Sequence, residues 1–241
     1  ERRKMKKMEK LYLISLAAAM LLSFCGKENR NDEDFEKAVR RFKNEKSDRI
    51  DRPRKSVLPF IAGKSMDPVW DINHPEIITV PEFAFKNQKG STVTEKSLDG
   101  KITAVCFFYT RCRGFCPSIM RNMNRIREKT GTALHMTSFS VTPDFDSPEV
   151  LKKYSDSTGY GRENWDLLTG DKDKIYSIAR NIFNADTDTF EKKSKDDFIH
   201  SEQIYIIDSK RRLRGVYNGN ANGDIERIIE DVQKAFREIN K

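Results

Sequence analysis

Two cysteines with three residues between them, Cys112 and Cys116 in YTRCRGFCPSIM, are the side chains of this 241-residue sequence best suited to chemistry. They stand between a β-branched and aromatic run, residues 102–109, and a segment that places Ile119, Met123 and Ile126 on one helical face. A buried strand, a short loop with two thiols and a helix start, in that order, aim both sulfurs at a helix N-terminus. There the backbone N–H groups and the helix dipole favour thiolate over thiol. The loop is one residue longer than in a Cys-x-x-Cys redox pair, so both sulfurs can hold one metal ion and still close a disulfide. Paired thiolates are soft ligands that select Cu(I), Zn(II) or iron–sulfur clusters. A cluster or a structural zinc site needs further thiolates, which the other two cysteines, Cys25 and Cys106, are poorly placed to supply. Two sulfurs and one imidazole make the three-coordinate site that Cu(I) accepts.

The elements that must position this pair follow from periodicity and turn chemistry. Residues 77–85 and 91–93 read as a hairpin around an Asn/Gly turn at 87–90, and Leu98-Asp-Gly100 turns the chain into the strand 102–109. Cys106, inside that strand, reads as an inert buried hydrophobe. A helix begins near Pro117, a core strand spans 133–141, and Ser147, Pro148 and Glu149 together open a second helix. A short strand at 165–168, a helical pattern at 175–183, a hairpin with arms 203–207 and 213–217, and an amphipathic helix at 225–239 follow. This order predicts an α/β fold with a mixed central sheet flanked by helices. The dithiol at the start of the first main helix makes that fold thioredoxin-like.

Charge and hydropathy place the domain. The net charge is +8, and residues 1–24 carry half of it. Those residues read as a signal: a basic stretch, 1–10, then an apolar run of 14 residues, shorter than the ~20 of a membrane span. With the excess charge located there, a nucleic-acid partner loses its support, and none is expected. The ending Leu-Ser-Phe-Cys resembles a lipoprotein signal, which would make Cys25 the acylated first residue of the mature protein; Phe24 departs from the small residue usual before that cysteine. Residues 25–57 mix charges of both signs and cannot bury enough apolar area to offset their ordering entropy, so they read as a tether. Residues 58–77 read as an arm packed on the domain proper, 78–241. The expected location is extracytoplasmic, on the periplasmic side, anchored to a membrane through the N-terminal lipid.

Three histidines are present. His74 lies in a loop context, Asn-His-Pro, and His135 alternates along a predicted core strand as a structural histidine does. His200 follows a polar loop, 186–197, and precedes the strand 203–207. In a thioredoxin-like sheet that segment lies beside the start of the cysteine-bearing helix, so His200 is a candidate third ligand.

FFYTRCRGFCP, SVTPDFDSPEVLKKY and FIHSEQIYIIDSKRRLRGVY resemble the three signature blocks of the Sco/SenC family, and VPEFAFKNQKGSTVTEKSLDGK is similar to its lead-in. The resemblance covers residues 78–240 and implies a thioredoxin-like, membrane-tethered extracytoplasmic domain. It implies a copper ion, Cu(I) or Cu(II), held by Cys112, Cys116 and His200. It further implies a metallochaperone or thiol-disulfide reductase serving the CuA centre of cytochrome c oxidase. The partners it implies are the oxidase subunit carrying CuA, other periplasmic copper chaperones and thioredoxin-like reductants. Asp146 matches the family's acidic residue in the second block and is a candidate for supporting the ligands. The family usually has proline after the first cysteine; here Arg113 stands there, which frees a backbone φ and sets positive charge beside the thiols. The alternative is a metal-independent thiol-disulfide oxidoreductase in which Cys112 attacks and Cys116 resolves. A peroxidase reading finds only Thr110 ahead of the cysteine, at the wrong spacing.

Overall fold

Seven consecutive buried residues, ITAVCFF, form β5 (Ile102–Phe108), and the rest of the structure is arranged about them. A strand with no exposed position is covered on both faces, which is the environment of a central parallel strand. The computed structural model describes residues 57–185 and 201–239, which belong to one compact unit. Cys25, His200, the signal and tether segments and the polar stretch 186–197 lie outside the described residues.

β5 pairs in parallel with β6 (Leu134–Ser140), and β6 in parallel with β7 (Trp165–Thr169). The first crossover is α1 (Cys116–Thr130) and the second is α2 (Pro148–Thr158). On the far side of β7 lie β3 (Ala84–Asn87) and β4 (Thr92–Thr94), both antiparallel; on the far side of β5 lie β8 (Gln203–Ile207) and β9 (Leu213–Asn218). The strand order is β4-β3-β7-β6-β5-β8-β9, a mixed sheet. α3 (Lys172–Asn181) and α4 (Asn222–Ile239) complete the helices of the described residues. This is the thioredoxin-like α/β fold. A small hairpin, β1 (Phe60–Ala62) with β2 (Asp67–Val69), precedes the sheet.

Alternation along β5 sorts the two cores. Ala104, Cys106 and Phe108 face a cluster with Met120, Met123 and Ile126 of α1, Leu151 of α2 and Ile228 and Val232 of α4. Val105 and Phe107 face the other cluster, with Phe139, Phe183, Tyr205, Ile175 of α3 and Ile61 of β1. Phe107 stacks on Phe139 with ring centroids 5.5 Å apart.

Local rules account for where observed elements depart from the predicted ones. α3 begins at Lys172 and not at 175, because Asp171 caps it by accepting from Lys174 N–H at 2.9 Å. Residues 77–85 are not one strand. Residues 78–80 bond to Ile61, Arg211 and Leu213 instead, and Pro81, which has no N–H to give a ladder, separates them from β3. Asn87 closes β3 rather than standing in the turn, its side chain accepting from Lys89 N–H and Ser91 N–H.

Arg214 anchors the residues ahead of the sheet. Buried on β9, it donates to the carbonyls of Leu58 and Pro59 at 2.7 and 2.9 Å, to Glu238 of α4 at 2.7 Å and to Asp208 at 3.3 Å. Its guanidinium also lies 4.2 Å from the Phe60 ring centroid. Among the described residues no helix is long and apolar enough to cross a membrane.

Candidate functional site

β5 delivers the chain to the thiols. After Phe108 the backbone turns, with Cys112 N–H donating to Tyr109 C=O at 3.3 Å, and Cys116 opens α1. Phe115, at the N-cap, already has helical φ and ψ and offers no capping side chain. Pro117 in the first turn removes a donor that would find no partner inside the helix. No acidic residue occupies that turn, so the positive end of the helix dipole is left to the sulfurs. Both cysteines are free thiols, Cys112 9% and Cys116 5% exposed.

The two thiols differ in electrostatics. Burial opposes ionisation of Cys112, but its sulfur accepts from the Cys116 thiol, from Cys116 and Gly114 N–H and from the Tyr109 hydroxyl. Together these hold its pKa below the ordinary thiol value. Burial, together with the proton it donates to Cys112, drives the Cys116 pKa far upward. The Tyr109 hydroxyl is pushed up to about 12 by burial and by its bond to Cys112. Of the two, Cys112 is therefore the thiol that ionises more readily and Cys116 the one that keeps its proton. Cys106 takes no part in this: it is buried, touches Ser138 Oγ at 3.1 Å, and burial pushes its pKa up to about 12.

Asp146 is fully buried at the end of the β6–α2 loop, and its carboxylate accepts four hydrogen bonds. Thr110 gives two, from N–H at 3.2 Å and Oγ1 at 2.5 Å; Ser140 Oγ gives one at 2.6 Å and Thr142 Oγ1 one at 3.1 Å. The structure thus brings Asp146 to the cysteine loop through Thr110, two residues before Cys112. His135 is elsewhere: it pairs with Thr103 at the opposite end of β5, with Nε2 3.4 Å from Asp166. His74 is a loop residue whose Nδ1 accepts from Glu76 N–H. β8 runs antiparallel to β5 with Val105 opposite Tyr205, so the N-terminal end of β8 lies at the same edge as the cysteine loop. Ser201 is the first described residue there. Among the described residues no group of three His, Cys, Asp or Glu side chains comes together.

Tyr109 is a site residue that sequence reasoning passed over, and Thr110 one that it weighed only against a peroxidase reading. The available signal was two hydroxyl-bearing residues ending an otherwise apolar strand within three positions of a thiol.

The SCO1/SenC family model matches residues 73–237. The chain belongs to that family. Solved structures that share the fold include three Sco-family relatives. A SCO1/SenC family lipoprotein of Bacillus anthracis is 30% identical, covering 66% of this chain and 95% of its own, with a TM-score of 0.58. BsSco, a member of the Sco family of cytochrome c oxidase assembly proteins in which a disulfide switch was identified, is 31% identical over 67% of this chain and 95% of its own, TM-score 0.57. Bradyrhizobium japonicum ScoI, solved with copper bound, is 25% identical over 65% and 99%, TM-score 0.53.

Proposed function

We propose that this chain binds a copper ion through Cys112, Cys116 and His200 and passes it to the CuA-bearing subunit of cytochrome c oxidase during assembly. The observation that carries the reading is the thiol pair itself: two free, hydrogen-bonded thiols at a helix start, on the sheet edge where β8 begins. His200 immediately precedes Ser201 at that edge in sequence. Soft paired sulfur suits Cu(I), and one imidazole fills a three-coordinate set. The copper-bound Bradyrhizobium relative and the oxidase-assembly assignment of BsSco support it.

In this mechanism the chain's own residues do three things. Cys112 is the more readily ionised sulfur, while Cys116 must release its proton when a metal ion is taken. The Tyr109 hydroxyl steadies the Cys112 sulfur, and Asp146 braces Thr110 so that the loop keeps its geometry. Transfer proceeds by ligand exchange, an acceptor's thiolates displacing His200 first and then the cysteines. Residues 1–24 and Cys25 hold the domain at the outer face of a membrane through a lipid, residues 25–57 serving as tether. The lipobox-like ending and the lipoprotein relative support this location.

The split between the two thiols favours a second reading, thiol-disulfide exchange. Cys112 thiolate attacks a partner disulfide and expels one partner thiolate; Cys116 then breaks the mixed disulfide, releasing the second and leaving Cys112–Cys116 oxidised. Thioredoxin-like reductants or other periplasmic copper chaperones would be partners in such a cycle. Anaerobic Cu(I) titration of the reduced full chain against its His200→Ala variant tests the first reading. Cu(I) affinity should fall more than tenfold while the Cys112–Cys116 disulfide still forms on oxidation. Unchanged Cu(I) affinity refutes the three-ligand site.

A further inference from the structure

Six of the twelve arginines among the described residues pair with carboxylates: Arg125 with Glu226, Arg127 with Glu163, Arg211 with Glu95 and Asp99, Arg212 and Arg214 with Asp208, and Arg227 with Asp224. The two in the cysteine loop are treated differently. Arg111 and Arg113 flank Cys112, both are exposed, and neither makes an ion pair among the described residues. Arg111 lies over the Phe145 ring, 3.8 Å from its centroid. Phe145 and Phe115 are 59% and 54% exposed, among the few large apolar side chains the fold leaves in water. Phe115 belongs to the cysteine loop, and Phe145 to the loop that Asp146 ties to Thr110. The carboxylates nearby are Asp144, which is exposed; Glu149, which accepts from Ser147 Oγ; and Asp146, buried against Thr110. Two guanidinium groups without an ion pair among the described residues and two exposed rings therefore border the thiols as a rim.

We propose that this rim is a docking surface for an acidic segment of a partner protein, one that sets carboxylates against Arg111 and Arg113 and an apolar side chain against Phe115 and Phe145. The proposal rests on the reading that the thiol pair transacts with another protein, and not on which metal it holds. Chemistry selects the occupant. A planar guanidinium pairs bidentately with a carboxylate, and stacking on Phe145 holds the Arg111 fork in one plane at small entropic cost. Exposed aromatics beside arginine are the composition of protein-interface cores, whereas attraction to an anionic lipid surface grows with the number of lysines and arginines, and this rim has two.

The test uses the reduced, metal-free full chain in neutral detergent and three short peptides. Each carries one cysteine as a mixed disulfide with thionitrobenzoate and one leucine beside it. Aspartates flank the first, lysines the second and serines the third. Cys112 thiolate attacks the peptide sulfur, forming the Cys112–peptide disulfide and releasing coloured thionitrobenzoate; Cys116 then displaces the peptide thiol. The serine peptide normalises for the intrinsic reactivity of the thiolate. We expect the acidic peptide to react about tenfold faster than the basic one at low salt, the ratio collapsing toward unity as salt shortens the Debye length. Arg111→Glu with Arg113→Glu should abolish or invert the ratio. The same charge change at Lys96 and Lys101, at the opposite end of β5, should leave most of it. Equal rates for the acidic and basic peptides, or a preference that survives Arg111→Glu/Arg113→Glu, overturn the proposal. So does an anionic-lipid outcome: no peptide preference, but thiol alkylation slowed by phosphatidylglycerol vesicles only while both arginines are present. The assay needs no copper. A chain that fails to bind Cu(I) yet keeps the preference loses the copper reading and retains the rim; one that binds Cu(I) with equal peptide rates loses the rim alone.

Discussion

Asp146 is the single side chain whose removal should disturb both stability and the thiols. Its Oδ2 accepts from Thr110 N–H, Ser140 Oγ and Thr142 Oγ1, and its Oδ1 from Thr110 Oγ1, with no exposure to water. Asp146→Ala leaves all four donors without their acceptor in a buried site. Hydrogen bonds to a charged group contribute about 1.5–3 kcal/mol each, but three of these donors are hydroxyls that can rotate toward new acceptors. The expected loss is therefore ~4 kcal/mol, not the full sum. For a domain of this size, where 1 kcal/mol moves Tm by about 2–4 °C, that is a fall on the order of 10 °C. Asp146→Asn is the informative companion. Its amide oxygen can take the place of Oδ2 and keep three acceptances, while its NH2 faces Thr110 Oγ1, which can turn to accept. Loss there should be only about 1–2 kcal/mol. Urea unfolding of the full chain at neutral pH measures both. The second readout is iodoacetamide alkylation of Cys112: with Thr110 unbraced, the Tyr109 and backbone donors lose their aim and the alkylation midpoint should move up in pH. If Asp146→Ala unfolds like the native chain, or matches Asp146→Asn in both stability and thiol reactivity, the bracing role assigned to this carboxylate is wrong.

Iodoacetamide should also rank the cysteines of the reduced native protein. Cys112 reacts first, with a midpoint below that of a free thiol at ~8.5 because four donors hold its thiolate; Cys116 lags; Cys106 stays unlabelled until the fold opens. Peptide mapping by mass spectrometry decides it, and equal labelling of Cys112 and Cys116 contradicts the opposite shifts of the two thiols. Arg214→Met should cost about 2–4 kcal/mol in urea unfolding, since it takes the buried donor from the Leu58 and Pro59 carbonyls and from Glu238, while Asp208 keeps Arg212. A loss under ~1 kcal/mol would mean that residues 58–60 hold their place by apolar contact alone.

Much of the fold was legible from local signals. The run 102–109 is β-branched and aromatic because both faces of β5 are buried, and the Ser147-Pro148 pair announces α2 wherever it is placed. Boundaries were missed where a side chain and not a periodicity sets them: Asp171 starts α3 three residues before the apolar spacing begins, and Pro81 interrupts what reads as one strand. The β1–β2 hairpin was missed because three-residue strands carry too little alternation to register.

The sequence alone determined that two thiols meet at a helix start, since Cys112 and Cys116 lie four positions apart between a strand and Pro117. It also determined the family, through blocks that survive as written residues. Tertiary structure decided what those thiols are. Which of them ionises first depends on Tyr109, Gly114 and the burial of Cys116 at the start of α1. Asp146 reaches Thr110, 36 residues away in sequence, only because parallel pairing brings the ends of β5 and β6 together. The same pairing stacks Arg111 on Phe145 and leaves a charged rim that no spacing along the chain predicts. Spacing fixes neighbours within a few residues; contacts across the sheet fix electrostatics, because burial and hydrogen bonding are properties of the packed molecule.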